Sequence, residues 1–360
     1  MPKVVPEVPD DGAVWSAEDT TPAAIEEALR QLVQQQHARD HAHAPARVLN
    51  LVVVVEREWR GEIKNRLEQV GRYHASRTIL CTVERGRTTL DATVVLTIEG
   101  ERQPGDIALT RERVTVEVGE KHVEKLDTIV DPLVVTDLPT VVWSPHGHPE
   151  AVDALLRLSQ VVLIDSVNEP DLASAVRRAE ELAREAYVVD LAWLRTTPWR
   201  ERVAATFDPP RWRAELGRID TVKVRHRPDS GAAGVLFFGW LSSRLGWGPA
   251  SLTAANGSVR GRAHARRQDV TLMLEPDPDQ AVPGLAGIEI GTASGVSISL
   301  DRGPGGLLAR RRDPKGRELR WTILGASRGE GGILGEGIRQ ALLRDPAYRG
   351  ALDCAEAMLR

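Results

Sequence analysis

A chain of 360 residues, 42% hydrophobic and 27% charged, with 47 Lys+Arg against 51 Asp+Glu, is long enough for two globular domains and too balanced for a strongly basic nucleic-acid binder. Its two cysteines, Cys81 and Cys354, exclude a disulfide framework and a four-thiolate zinc site. The longest apolar run, Leu49 to Val55, is far short of the ~20 residues of a membrane span, and no cationic stretch followed by an apolar one opens the chain, so a cytoplasmic protein is expected.

Residues 1–20 gather prolines and acids around Trp15 and are expected to form a flexible acidic arm. An α/β domain is expected over 21–165. Thr21-Pro22 opens a helix, with the hydroxyl as cap and proline where no N–H is needed, and Ile25, Leu29, Leu32 and Val33 share one face. Arg47-Val-Leu-Asn-Leu-Val-Val-Val-Val55 predicts a strand apolar on both faces, hence one inside a covered sheet. A helical pattern from Glu58 to Tyr73 and the strand Arg77–Val83 complete a βαβ crossover, which makes the two strands parallel. Leu90–Ile98 and Arg113–Val118 alternate and are expected as antiparallel additions. A short helix over 120–130, the strand ending at Trp143, a helix through Leu155 and the strand Val161–Ile164 follow.

An α+β domain is expected over 166–360. It begins with a helix from Pro170 to Arg184 and the strand Tyr187–Val189, and Thr197-Pro198 and Asp345-Pro346 repeat the cap-plus-proline opening. Thr221–Arg225 alternates as a strand, and Gly231–Leu245 is an apolar helix. Short strands punctuated by Gly and Pro from Leu252 to Ile323 predict an antiparallel meander, followed by two C-terminal helices. The fold class is therefore α/β: a mixed, βαβ-containing sheet domain, then an α+β domain with a meander and terminal helices.

Gly325-Ala-Ser327-Arg-Gly329 is a literal G-x-S-x-G between a strand and a helix. A nucleophile elbow of this kind is followed in the chain by its histidine base. Here the last histidine is His264, so a glycine-rich connection is the preferred reading. Anion binding by Ser327, Arg328, Gly329 and Gly331 at the helix start is a second one. The groups His37, His41, His43 and His146, His148 lack the cysteine or carboxylate company of a metal site and are expected to be solvated loop histidines. Cys81, on an apolar strand, is expected to be buried.

No Walker A loop occurs, and no G-x-G-x-x-G follows the first strand. Arg260, Arg262, Arg266 and Arg267, and the run Arg310-Arg-Arg312, could meet phosphates or an acidic protein surface, or form solvated hairpins. Of nine tryptophans, five crowd between Trp193 and Trp247, where packing is the default. No catalytic residue, metal or cofactor is assigned, and a binding or regulatory role is preferred to an enzymatic one.

Several segments carry a resemblance. They are Arg47–Val55, Ser76-Arg-Thr-Ile79, Asp137-Leu-Pro-Thr-Val-Val-Trp143, Asp190-Leu-Ala-Trp-Leu-Arg-Thr-Thr-Pro-Trp-Arg-Glu201, Phe238-Gly-Trp-Leu-Ser-Ser-Arg-Leu-Gly-Trp247 and Leu343-Arg-Asp-Pro-Ala-Tyr348. In these the chain resembles the OpcA-type glucose-6-phosphate dehydrogenase assembly proteins of actinobacteria and cyanobacteria. The resemblance implies a non-catalytic effector that binds glucose-6-phosphate dehydrogenase and supports its active oligomer in the oxidative pentose phosphate pathway, with no nucleic-acid or membrane partner. Trp199, Arg200, Trp240, Arg244 and Trp247, which combine aromatic and cationic groups, are the candidate partner contacts. The thiol control associated with cyanobacterial relatives is not carried over to a chain with these two cysteines. The alternative is a sugar-phosphate- or nucleotide-binding enzyme using the glycine loop at 325–332.

Overall fold

A computed structural model describes residues 13–39, 43–44, 47–71, 75–99, 108–248, 251–255, 257–325 and 329–360. The chain forms two compact units, Met1–Ile164 with Glu185–Val188, and Asp165–Arg184 with Val189–Arg360.

The elements up to the junction are β1 (Ala13–Ala17), α1 (Pro22–Arg39), β2 (His43–Ala44), β3 (Leu49–Glu56), α2 (Arg60–Gly71), β4 (Ser76–Glu84), β5 (Asp91–Glu99), β6 (Ala108–Gly119), α3 (Leu126–Val130), β7 (Thr140–Trp143), α4 (Pro149–Leu155), β8 (Val161–Ile164), α5 (Leu172–Glu185) and β9 (Tyr187–Asp190). The first sheet has the order β1-β5-β6-β4-β3-β7-β8-β9, with β2 beside β6. Leu49 to Val55 are all buried, and β3 runs parallel to β4 and β7, so the continuous aliphatic run occupies the interior of the sheet as its composition requires. Ala24 N–H donates to Thr21 Oγ1 at 3.3 Å at the start of α1, the expected cap.

Two expectations are corrected here. Residues 13–17, expected within the arm, form an edge strand antiparallel to β5, with Trp15 opposite Val94 and the hydroxyls of Ser16 and Thr93 2.9 Å apart. The open edge of β5 offers backbone partners that a proline-free stretch can take. The rest of the arm, residues 1–12, lies outside the described residues. The second correction concerns β6, which is antiparallel to β5 but parallel to β4. β5 is laid down one strand away from β4, and β6 returns into the slot between them.

The second unit continues with α6 (Leu191–Arg195), α7 (Thr197–Phe207), α8 (Pro210–Leu216), β10 (Ile219–His226), α9 (Gly231–Leu245), β11 (Thr253–Ala255), β12 (Ser258–His264), β13 (Asp269–Pro276), β14 (Leu285–Thr292), β15 (Ser297–Gly303), β16 (Gly306–Arg312), β17 (Glu318–Leu324), α10 (Gly329–Leu343) and α11 (Pro346–Leu359). Its sheet has the order β11-β12-β13-β10-β14-β15-β16-β17. The expected meander is thus split: β10 sits between β13, to which it is parallel, and β14, to which it is antiparallel. The arginine-rich stretches around Arg260 and Arg310 are strands β12 and β16.

Alternation sorts the faces of this sheet. Val222, Val224, Leu272, Leu274, Ile288 and Ile290 are buried, and α9 lies over β10 and β13 on that side. The residues between them, such as Lys223, Arg225, Glu275 and Glu289, point to the opposite, polar face. α11 packs on α9 so closely that a Cβ on Gly239 would stand 2.1 Å from the Ala351 carbonyl oxygen. Gly246, at φ 66°, ends α9, and Trp247 N–H bonds back to Ser242 O at 3.0 Å, folding the buried indole of Trp247 against the unit. Among the described residues no helix is long and apolar enough to cross a membrane.

Candidate functional site

In the first unit the charged and polar residues of the sequence motifs tie strands together. Glu112 on β6 is buried and directly opposite Arg77 on β4, whose Nε donates to it at 2.6 Å, while Arg47 Nε donates from the other side at 2.8 Å. Arg77 also donates to Leu133 O at 2.9 Å. Asn50 on β3 is fully buried. Its amide donates to Val135 O at 3.0 Å and Thr140 Oγ1 at 3.2 Å and accepts from Val135 N–H at 2.9 Å, fastening the loop before β7 to the sheet. Buried polar groups need such partners, and these have them.

The second unit assembles a denser network from the 190–201 motif. Asp190 caps α6: its buried carboxyl accepts from Ala192 N–H at 2.8 Å, Ser166 N–H at 3.2 Å and Ser166 Oγ at 2.5 Å. Burial pushes this carboxyl up to about 6 against the pull of the Ser166 bond. Arg195, at the end of the same short helix, is buried and forms a two-bond fork with Asp165, each bond 2.7 Å. Its other edge meets Glu330 of α10 at 3.1 and 2.6 Å. Burial would lower the basicity of Arg195, but the bonds to Asp165 and Glu330 more than offset it and hold the guanidinium charged.

Trp193 sits between these motifs and the C-terminal one. Its indole N–H donates to Asp345 Oδ2 at 2.9 Å, its ring is 5.6 Å from that of Tyr348, and Arg200 lies over it. Asp345 also caps α11 through Ala347 N–H at 2.8 Å, the expected Asp-Pro cap.

The structure distributes the five candidate contact residues unevenly. Trp199, Arg200 and Trp247 are buried; Trp240 is half-buried, its ring 5.4 Å from that of Phe237; Arg244 is exposed. Of the candidate anion-binding residues, Ser327 and Arg328 lie outside the described residues. Gly329 opens α10 at φ 64°, and Gly331 is in its first turn.

Thr197 does not cap α7. Thr196 holds the cap position without a side-chain bond to a backbone N–H of the helix, because its hydroxyl donates to Trp193 O at 2.7 Å and accepts from the side-chain Nε of Arg200 at 2.9 Å. His37 is exposed, and His41 and the side chain of His43 lie outside the described residues. The histidines near 146 depart from the expected solvated loop. His146 stacks on Trp59 at 4.5 Å, and burial lowers its basicity; His148, at φ 58°, stands 3.1 Å from Glu56 and 3.0 Å from Glu150. The half-exposed indole of Trp59 gives that loop a surface to lie on. Among the described residues no group of three or more His, Cys, Asp or Glu is arranged to hold a metal ion.

Sequence reasoning missed the Asp165–Arg195–Glu330 network. Its members are 30 and 135 positions apart, a separation that leaves no local signal. Asp190 could have been found, since an Asp before a helical pattern is a cap signal. Beside Arg195 the second unit holds a cleft of about 230 Å³, lined also by Arg202, Arg302, Val282, Pro283 and Ile333.

Residues 67–181 match the profile of the glucose-6-phosphate dehydrogenase subunit N-terminal domain, and residues 186–352 that of the corresponding C-terminal domain. The chain belongs to the OpcA family of glucose-6-phosphate dehydrogenase assembly proteins. Relatives include the OxPP cycle proteins OpcA of Synechococcus elongatus, 29% identical over 50% of this chain and 40% of the relative, and of Synechocystis sp., 31% identical over 39% and 30%. The matched segments thus span less than half the length of these relatives. Among solved structures, the WlbA dehydrogenase of Thermus thermophilus is 14% identical with a TM-score of 0.44 over 86% of this chain and 93% of that one. At that level the likeness is too loose to carry chemistry from one to the other.

Proposed function

We propose that the protein is a non-catalytic assembly factor that binds glucose-6-phosphate dehydrogenase and supports its active oligomer at the entry to the oxidative pentose phosphate pathway. The observation that carries this reading is the pair of subunit-domain matches, over 67–181 and 186–352. The use of the motif residues is in keeping with it. Arg47, Arg77, Asp190, Arg195 and Arg200 are all bound within their own units, as residues that shape a scaffold are. Such a factor acts only through differential affinity: it must bind the active form of the enzyme better than the inactive one, because equal affinity shifts nothing. Arg244 and the exposed part of Trp240, near the end of α9, are the members of the candidate contact set that a partner can reach.

The test is the activity of the cognate glucose-6-phosphate dehydrogenase with and without this protein, with size-exclusion chromatography of the mixture. Co-elution with a raised rate or a lowered apparent substrate constant is expected. Separate elution with unchanged kinetics would refute the reading.

A further inference from the structure

The cleft in the second unit brings together three arginines and three glutamates that are not paired one to one. Three arginines line it, and Arg195 is committed to Asp165 and Glu330. Arg302, half-buried on β15, donates its Nε and one Nη to a single acceptor, the Leu285 carbonyl, at 3.3 and 3.2 Å. Arg202 on α7 has its Nε wholly enclosed and without any hydrogen-bond acceptor. Among the described residues neither Arg202 nor Arg302 has a carboxylate partner.

The acids in the lining are accounted for otherwise. Glu330 is held by Arg195; Glu336 by Arg339 Nε at 2.9 Å and Gln340 at 2.9 Å; Glu201 is exposed to water, which screens its charge. A part-buried guanidinium with no carboxylate partner gains from an anion that reaches it, because the counter-charge offsets its lost hydration. Burial also weakens the basicity of Arg302, as expected of a cation awaiting a counter-charge.

From this geometry we propose that the cleft is a binding site for a small anion of the phosphate class, held between Arg202 and Arg302. Guanidinium groups present N–H pairs that match phosphate oxygens, and such charge-assisted bonds are roughly twice as strong as neutral ones. The cavity of about 230 Å³ is more than a bare ion fills. Val282, Pro283 and Ile333 supply an apolar wall for an organic body attached to the phosphate. The site is a property of this chain alone and stands whether or not the proposed enzyme partner binds.

The experiment is a thermal-shift and calorimetric titration of the full chain at constant ionic strength, with inorganic phosphate in one arm and glycerol 3-phosphate in the other. Wild type, Arg202→Gln, Arg302→Gln, the double variant and the surface control Arg320→Gln are compared. A saturable rise in melting temperature is expected for wild type and R320Q, with affinity at least about tenfold weaker in the double variant. Tighter binding of the ester identifies an organic phosphate as the ligand, and equal binding identifies the free ion. In chloride alone R202Q melts no lower than wild type, because it removes an unpaired charge and an enclosed N–H without an acceptor. No saturable response in either arm overturns the proposal, as does an equal response from the double variant. If the double variant fails to fold, Arg202→Lys, which keeps the charge and loses the fork, decides: undiminished affinity overturns the proposal.

Discussion

The guanidinium carbon of Arg200 lies 3.5 Å above the indole ring of Trp193. The same arginine donates to Thr196 Oγ1 and Thr197 Oγ1, each at 2.9 Å, and stands 3.7 Å from Asp345. Burial pushes its pKa down to about 10, so it stays charged at neutral pH. A cation and an aromatic ring, the pair that makes good protein interfaces, are here used inside one unit. Replacing Arg200 by Ala removes the stacking and leaves the buried Thr196 hydroxyl short of a donor. A loss of about 2–4 kcal/mol is expected, read as a shift of the urea midpoint. Stability within 0.5 kcal/mol of wild type would assign Arg200 no packing role.

Arg244 is expected to behave in the opposite way. It is exposed on the last turn of α9, and surface substitutions of this kind change stability by about 0.5 kcal/mol or less. Arg244→Ala should therefore leave the melting temperature unchanged while weakening co-elution with glucose-6-phosphate dehydrogenase. Undiminished co-elution would place the contact elsewhere.

Two helical glycines should respond with opposite signs to alanine. At Gly239 a Cβ would meet the Ala351 carbonyl at 2.1 Å, whereas at Gly335 on α10 nothing lies within 4 Å. Gly239→Ala forces α9 and α11 apart and should cost about 1–3 kcal/mol. Gly335→Ala should add about 0.5–1 kcal/mol by restricting the unfolded chain. Thermal unfolding of the two variants side by side is the measurement.

The buried carboxyl of Asp190, raised to about 6, binds its proton more tightly folded than unfolded. Its contribution is therefore fully present below the ordinary Asp value of about 4 and is lost as pH rises through about 6. The difference of roughly two pKa units corresponds to about 3 kcal/mol. Asp190→Asn keeps an oxygen for the amides of Ser166 and Ala192 and cannot ionise. Relative to wild type, it should gain stability between pH 4 and pH 8. Denaturant midpoints that differ equally at both pH values would rule out a neutral buried acid.

Burial pushes the Cys81 thiol up to about 12, which leaves almost no thiolate at neutral pH. Cys354 is only half-buried, though burial raises its thiol as well. A thiol reagent at pH 8 should label Cys354 slowly and Cys81 only in denaturant, as peptide mass spectrometry would record. Labelling of Cys81 in the folded chain would show that its strand opens.

Much of the fold was legible because local signals agreed with it. The unbroken run in β3, the caps at Thr21 and Asp345 and the apolar helix Gly231–Leu245 each occupy the place that their pattern implies. Strand order was not legible. The insertion of β10 between β13 and β14 rests on pairings such as Val222 with Leu272 and with Ile290, some 50 and 70 positions apart. The networks were hidden for the same reason. Arg195 carries no mark in the sequence that separates it from any other arginine; only the fold brings Asp165 and Glu330 to its two edges.

The position of β10 also bears on the order in which the chain matures on the ribosome. Its two neighbours begin at Asp269 and Leu285, so a nascent chain that has just emitted residue 226 holds an apolar strand with neither flank yet made. The inner strands β3, β4, β6, β7 and β8 of the first sheet are by then complete. The early unit can therefore consolidate while the later one waits for its middle to be enclosed. During that interval Val222 and Val224 are exposed to whatever chaperone or neighbouring chain reaches them first.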